Sequence, residues 1–472
     1  MKAYRSVAQL AAFAMVSLLM LAACGGGGGG SSTAATPGAA VSKGVITAKG
    51  SVFVNGIEFS TNGATIKIDD NPGLESDLKV GMIVKVKGAS DDATKKGTAV
   101  EIEARDALEG TISSIDAANN TITVMGQTVR IEDNVTRLND DDTVKVFASA
   151  AFAVGNVVEV NGFPDDQGGL RATRVAKKTS GELELKGFVT GLGASSFGLS
   201  LTPGGAATLT VNFSAGQLPA GLANGSLVEV KSNAAPSGGA ITATLIKLED
   251  ALGAEGEKVE VEGIVSSGTL SSFVVNGQQV VTSSATQFEG GLSTDFAVGI
   301  KVEAEGPLNA GGAIEATKIT FKSSIKLEGD ASAISASGLT LLGKSVAINS
   351  FTRIDNGPLA NGSHVEVRAS LDRNGNLIAS RIIVQSASTR AILQGPVSAF
   401  SAAAGTLTIL NTAIATNGTT EFRISSDAAD QAVTAAAFFG SLTANVSIVK
   451  VRWDNFTTLA APAKQVEIEL GK

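Results

Sequence analysis

At 472 residues the chain exceeds one ordinary hydrophobic core, so its length argues for several domains. Hydrophobic residues reach 43%, enough to exclude disorder beyond the N-terminal region, whereas aromatics are only 4% and charged residues 17%. The net charge is −8, it becomes more negative once Lys2 and Arg5 leave with the N-terminal segment, and no basic stripe releases counterions, which argues against nucleic acid as a partner.

The elements begin with a positive start, Lys2 and Arg5, and an apolar run through Val7, Leu10, Phe13, Val16, Leu18, Leu19 and Leu21. A small-residue site follows, Leu21-Ala22-Ala23-Cys24, which reads as a secretory signal over 1–23 rather than a domain. The alternative is a single membrane anchor or an ordinary signal, but the apolar stretch is near the lower length limit for a span. The ending resembles the lipobox of bacterial lipoproteins. That resemblance implies a diacylglyceryl thioether on Cys24, the only cysteine of the chain, cleavage before it, and acylation of the new N-terminus. Gly25, where an aspartate would resemble an inner-membrane retention signal, points to the outer membrane. A single cysteine leaves no intrachain disulfide and no cysteine-based zinc site. Residues 24–43 read as a Gly/Ser/Ala linker, about 25 Å end to end as a flexible coil.

Beyond the linker three marks recur in the same order. The first is a glycine inside an alternating run, at Gly44, Gly110, Gly187, Gly263, Gly329 and Gly395. It predicts a first strand that bends or bulges. The second is an apolar residue, glycine three later, then valine, as in Leu78-Gly81-Val84-Val86, Phe152-Gly155-Val158-Val160, Leu222-Gly225-Val228-Val230, Phe296-Gly299-Val302 and Leu359-Gly362-Val365-Val367. It predicts a tight turn feeding another strand. The third is alanine followed by Ile or Val, at Ala99, Ala172, Ala243, Ala316, Ala379 and Ala463. A small residue there permits close backbone approach. Asn55-Gly56, Asn276-Gly277, Asn374-Gly375 and Asp166 to Gly169 are placed where hairpins reverse.

The marks divide the chain into six copies, 44–106, 107–179, 180–252, 253–322, 323–388 and 389–472, the last departing from the pattern at Asn445. The second copy predicts five strands, 108–115, 121–124, 128–132, 157–160 and 170–176, with a longer segment, 136–154, between the third and fourth. The sixth carries an Ala-rich insertion, 425–442, that reads as a short helix with Asp427 and Asp430 near its start. The expected fold is all-β: six tandem small antiparallel barrels of about five strands each, OB-like in layout, with another small barrel or sandwich as the alternative. The spacing of these marks also resembles a bacterial repeat family, domain of unknown function 5666, over nearly all of 44–472. That resemblance implies no activity and no catalytic residues.

Chemistry-bearing motifs are scarce. His364, the only histidine, alternates with Val365 and Val367 and is expected to face solvent beside Glu366 and Arg368. No second histidine supports a nucleophile or a histidine-rich metal site. No G-x-S-x-G elbow, P-loop or dinucleotide fingerprint is present. Asp69-Asp70, Asp140 to Asp142, Asp165-Asp166 and Asp372 to Asn376 read as turn chemistry, with calcium the alternative. Trp453 alternates with Val449 and Val451 and is assigned to a core, and Phe53, Phe59, Phe147 and Phe152 are expected inside. The expectation is therefore no catalytic, cofactor or metal residue, and one lipidated residue, Cys24. Function is expected to be a non-enzymatic structural or interaction array in the cell envelope, held to the membrane by its lipid, with an unidentified envelope protein or glycan as partner. The alternative is a repeat array that binds glycans or divalent cations. Six barrels in single file would reach on the order of 100 Å.

Overall fold

The computed structural model describes residues 41–469 except 49, 92–93, 141–142, 290–292, 294–295, 323–324, 350–351, 373–374, 427–428 and 445–446. The signal segment, Cys24 and most of the linker lie outside the described residues, as do Asp141, Asp142, Arg373, Asn374, Asp427 and Asn445.

Alternation of apolar and polar residues sets each strand, and the second segment shows the unit. Strands Leu108–Asp116, Thr121–Val124, Gln127–Arg130, Val157–Pro164 and Leu170–Lys178 lie where the alternation predicts them. The first pairs antiparallel with the second and fourth, the second with the third, and the fourth with the fifth. A parallel pairing of third and fifth closes the barrel. The first segment closes in the same order, through strands Val41–Ala48, Val52–Val54, Ile57–Ser60, Ile83–Asp91 and Lys96–Ala104. Strands Leu183–Thr190, Ser196–Ser200, Leu209–Asn212, Leu227–Ser232 and Ala240–Leu248 repeat it in the third. Inward valines, leucines and isoleucines fill each barrel, Val158, Val160, Ile122 and Val175 being fully buried in the second. Strand Val41–Ala48 begins three residues inside the stretch read as linker, with Val41 buried against Val259.

The glycine after the apolar residue is required by its backbone. Gly81, Gly155, Gly225, Gly299 and Gly362 all adopt φ between 85° and 94°, which an L side chain adopts only at a cost. Each donates its N–H at 2.8–2.9 Å to a carbonyl of the first strand, of Ile46, Ile112, Val189 and Val265, or, for Gly362, of Ala331 just past that strand's end. The mid-strand glycine does something other than bend the strand. A Cβ on Gly44, Gly110, Gly263 or Gly329 would strike the side chain of Asn55, Met125, Asn276 or Leu342. Those residues open two-residue hairpins with positive φ at both positions, Asn55-Gly56, Met125-Gly126, Asn276-Gly277 and Leu342-Gly343. The register shift comes slightly later, between Ile46 and Ala48, Ile112 and Ser114, and Val265 and Ser267.

In the sixth segment the helix is Ala435–Gly440, and its cap is Thr434, whose hydroxyl accepts from the Ala437 N–H at 3.2 Å. Asp430, expected near the helix start, lies instead in strand Ala429–Ala432 and pairs with Arg423 at 2.7 Å. The helix buries Phe438 and Phe439. Trp453 is buried as expected, its indole N–H donating to the Ala461 carbonyl at 2.9 Å. Phe59 and Phe147 are buried, Phe53 and Phe152 half-buried.

The segments are not in single file. First strands pair with one another: Leu108 and Glu109 oppose Leu185 and Glu184, and Lys326, Leu327 and Glu328 oppose Gln394, Leu393 and Ile392. The first strand of the first segment runs parallel to that of the fourth, Val41 to Lys43 against Val259 to Val261. Ile83, Phe163 and Ile264, from three different segments, form one buried apolar cluster. The single-file arrangement is thereby overturned, because the first strand of a barrel leaves backbone groups that another first strand satisfies.

Candidate functional site

The short connection between the first two barrels, Arg105-Asp106-Ala107, lies where charged residues of three segments meet. The strand Lys96–Ala104 ends just before it, and the chain turns directly into Leu108–Asp116. The Ala107 N–H donates to the Val160 carbonyl at 2.8 Å, and the Ala107 carbonyl accepts from the Lys186 N–H at 3.0 Å, so the connection is held from both sides. Arg105 then projects toward the third segment. Its Nη1 donates to both carboxylate oxygens of Glu249, at 2.9 and 2.7 Å, and its Nε donates to Glu103 at 2.9 Å. Asp70 completes the ring around the guanidinium at 2.5 Å. Three carboxylates thus surround the one guanidinium, and its bonds to them are charge-assisted.

Beside it sits a carboxylate trio, two of its members buried and Asp69 half-buried. One oxygen each of Asp69, Asp106 and Glu184 lies within 4.8 Å of the others. The Lys186 ammonium occupies their centre, 2.9 Å from Asp106, 3.5 Å from Glu184, 3.8 Å from Glu229 and 4.0 Å from Asp69. Burial raises the Asp69 carboxyl, and raises that of Asp106 well above the carboxylate range, with Lys186 opposing the shift in both. Burial would raise Glu184 too, but Lys186 and a hydrogen bond with Asp106 outweigh it and lower the group. Burial would lower the Lys186 ammonium, yet Asp106, Glu184 and Asp69 hold it above its ordinary value. The trio therefore already contains a cation, the Lys186 ammonium. Asp69 and Asp70 adopt φ of 45° and 66°, so the turn reading of this pair stands, with the cluster added to it. Asp165 likewise serves a turn, one oxygen accepting from the N–H groups of Gln167 and Gly169 at 2.9 and 2.8 Å. Asp372 accepts from the Asn376 N–H at 2.8 Å.

A cleft of about 530 Å³ opens next to this network. The first four segments all contribute to its wall, and Ile83, Pro164, Leu170, Phe188, Leu227 and Leu252 make much of it apolar. The Asn276-Gly277 hairpin of the fourth segment forms one rim, close enough that a Cβ on Gly277 would lie 3.3 Å from the Phe188 ring. Lys43 reaches the same rim. Among the described residues its ammonium makes one hydrogen bond, a long one of 3.4 Å, to the Asn276 carbonyl. It pairs in register with another cation, Lys85, which is matched by Glu103 at 2.7 Å. Burial, and then Lys85, lower the Lys43 ammonium to about 8. Glu103 is held in the opposite sense: burial would raise it, but hydrogen bonds from Lys85 and Arg105 bring it down to about 2.

His364 does not face solvent. It is 2% exposed, its Nδ1 lies 2.8 Å from Asp330 and its Nε2 3.4 Å from Glu328, which also accepts from Arg390 at 2.6 Å. Alternation placed the ring correctly on the face away from Val365 and Val367; what buries that face is the pairing of the strand His364–Leu371 with Ile325–Asp330, next to the following segment. Both ring nitrogens are committed to carboxylates. Cys24, the one residue the sequence assigned to a modification, lies outside the described residues. Lys43, Arg105, Asp106, Lys186 and Glu249 were not marked by the sequence as a site; each looks like an ordinary outward residue of an alternating strand or its end.

These observations define a protein of tandem closed five-stranded barrels whose outward charges are matched across segments. The family model described as domain of unknown function (DUF5666) matches residues 43–103, 109–176, 260–320, 328–383 and 394–459, well over half of the chain. The chain belongs to that family. The match shows five repeats rather than the six read from the sequence; 180–252 lies outside it, although its strands pair in the same order. No curated protein matches the chain. Among solved structures, drosophila Unr CSD456 is similar at 15% identity over 59% of this chain and 97% of that one, with a TM-score of 0.16. A multidomain protein with nucleic acid binding domains from Streptococcus pneumoniae is similar at 14% identity over 45% of this chain and 72% of that one, with a TM-score of 0.14. At such TM-scores neither likeness informs the fold or the ligands of this chain.

Proposed function

We propose that the chain is a non-enzymatic structural and interaction protein of the bacterial cell envelope, held by lipid on Cys24 to the outer membrane. The observation that supports it most is the sharing of strands between segments. First strands joined in pairs, with ion pairs such as Arg105 to Glu249 between segments, suit a body that presents surfaces rather than a flexible string. At Cys24, two or more acyl chains, each contributing about 0.8 kcal/mol per buried methylene, anchor stably.

The test is crosslinking on intact cells, with identification of captured proteins and glycans, beside protease shaving to report the exposed side. Recovery of a defined envelope partner supports the reading. Cys24→Ser is expected to move the protein from the membrane to the soluble fraction and to abolish incorporation of labelled fatty acid. A variant that stays membrane-bound without label overturns the lipid anchor.

A further inference from the structure

The cleft beside Arg105 holds a cation that the protein leaves unmatched. Around it, Glu249 is bonded to Nη1 of Arg105, Glu103 to Lys85 and Arg105, and Asp106 to Lys186, while Asp250, also on the lining, is exposed to solvent. Lys43 forms no salt bridge among the described residues, and one long hydrogen bond to a carbonyl does not satisfy an ammonium with three donors. A charge held this way costs folding energy unless something pairs with it. Phe188, Leu227 and Leu252 are among the apolar residues of the lining. The volume of about 530 Å³ is in the range of small-molecule sites, which combine apolar walls with a few orienting polar groups.

We propose that this cleft binds a small amphipathic carboxylate, its anionic head on the Lys43 ammonium and its hydrocarbon body along the Phe188 and Leu252 wall. Charge complementarity selects the sign of the head. With Arg105, Lys85 and Lys186 already neutralised, Lys43 is the cation left to an incoming anion. The apolar wall selects the body, because a fully polar anion would leave it in contact with water. The site is independent of how the chain is anchored, so its failure would leave the envelope reading standing.

The test is calorimetric titration of the full chain in non-ionic detergent with octanoate, against a detergent blank. Saturable binding below millimolar concentration is expected, with octan-1-ol at least tenfold weaker on the same protein. Lys43→Met is expected to lose at least tenfold in affinity, and Lys43→Arg to keep most of it. Far-UV circular dichroism checks that the variants are folded. Absence of saturable heat up to millimolar octanoate overturns the proposal, as does octanol binding as tightly as octanoate. Unchanged affinity in folded Lys43→Met overturns the role of the ammonium.

Discussion

At Gly155 a methyl group would meet no atom within 4 Å, so only the backbone forbids it. With φ at 91°, Gly155→Ala is expected to destabilise by about 1–2 kcal/mol, measured by chemical denaturation. A second residue-scale device went unread in the sequence. The hydroxyls of Thr136, Thr286, Thr352 and Thr420 donate at 2.7–2.8 Å to the carbonyls of Ala172, Ala316, Ala379 and Ala463, the alanines of the recurring third mark. Each hydroxyl also accepts a backbone N–H, as Thr286 does from Ser283 at 2.9 Å. Thr286→Val keeps the shape and leaves both groups unpaired, at an expected cost of about 1–3 kcal/mol. The threonines precede these alanines by 36, 30, 27 and 43 residues, so no fixed spacing marked them in the sequence. Lys43 works in the opposite direction. Its folded value of about 8 lies below the ordinary 10.5, so the unfolded chain binds this proton more tightly. The cost is therefore fully present below about pH 8 and fades between 8 and 10.5. Lys85, Glu103 and Arg105 of the first segment and Glu249 of the third share its surroundings. Lys43→Met is expected to stabilise the protein by about 2 kcal/mol at pH 7, with the advantage shrinking above pH 8 in parallel unfolding curves.

At the scale of elements, strand alternation was legible almost residue by residue. The second segment matches because its inward positions are Val, Ile and Leu at period two, and a one-residue slip would expose them all. The fourth strand is where local reading stopped. Asn161, buried in strand Val157–Pro164, accepts the Ile83 N–H of the first segment at 3.0 Å, next to Phe163 in the cluster with Ile83 and Ile264. Nothing about an asparagine in an alternating run announces that it caps a strand of another barrel. Asn161→Ala is expected to leave a buried N–H without a partner and to cost about 1–3 kcal/mol, with amide exchange quickening first at Ile83. The insertion of the sixth segment was legible as a helix but not in its cap, because Asp430 was taken up by Arg423 and Thr434 stood at the proper offset.

For the whole molecule, pairing of first strands makes neighbouring barrels thermodynamic partners. The buried residues of the second and third segments form one continuous cluster, with Leu108 opposite Leu185 at the seam. Leu185→Ala is expected to cost about 2–5 kcal/mol and to speed amide exchange in strand Leu108–Asp116 as well as in its own. Exchange confined to strand Leu183–Thr190 would show that the barrels fold independently. By itself, the sequence determined the all-β class, the barrel strands, the turn glycines and the family. These follow from alternation, from φ and from steric fit, all of which act within a few residues. Only the tertiary structure decided that the first segment pairs with the fourth, that His364 is enclosed, and that Lys43, among the described residues, forms no salt bridge beside a partly apolar cleft. Those outcomes depend on which outward faces meet, and outward residues with the same alternation face water in one barrel and a neighbour in the next.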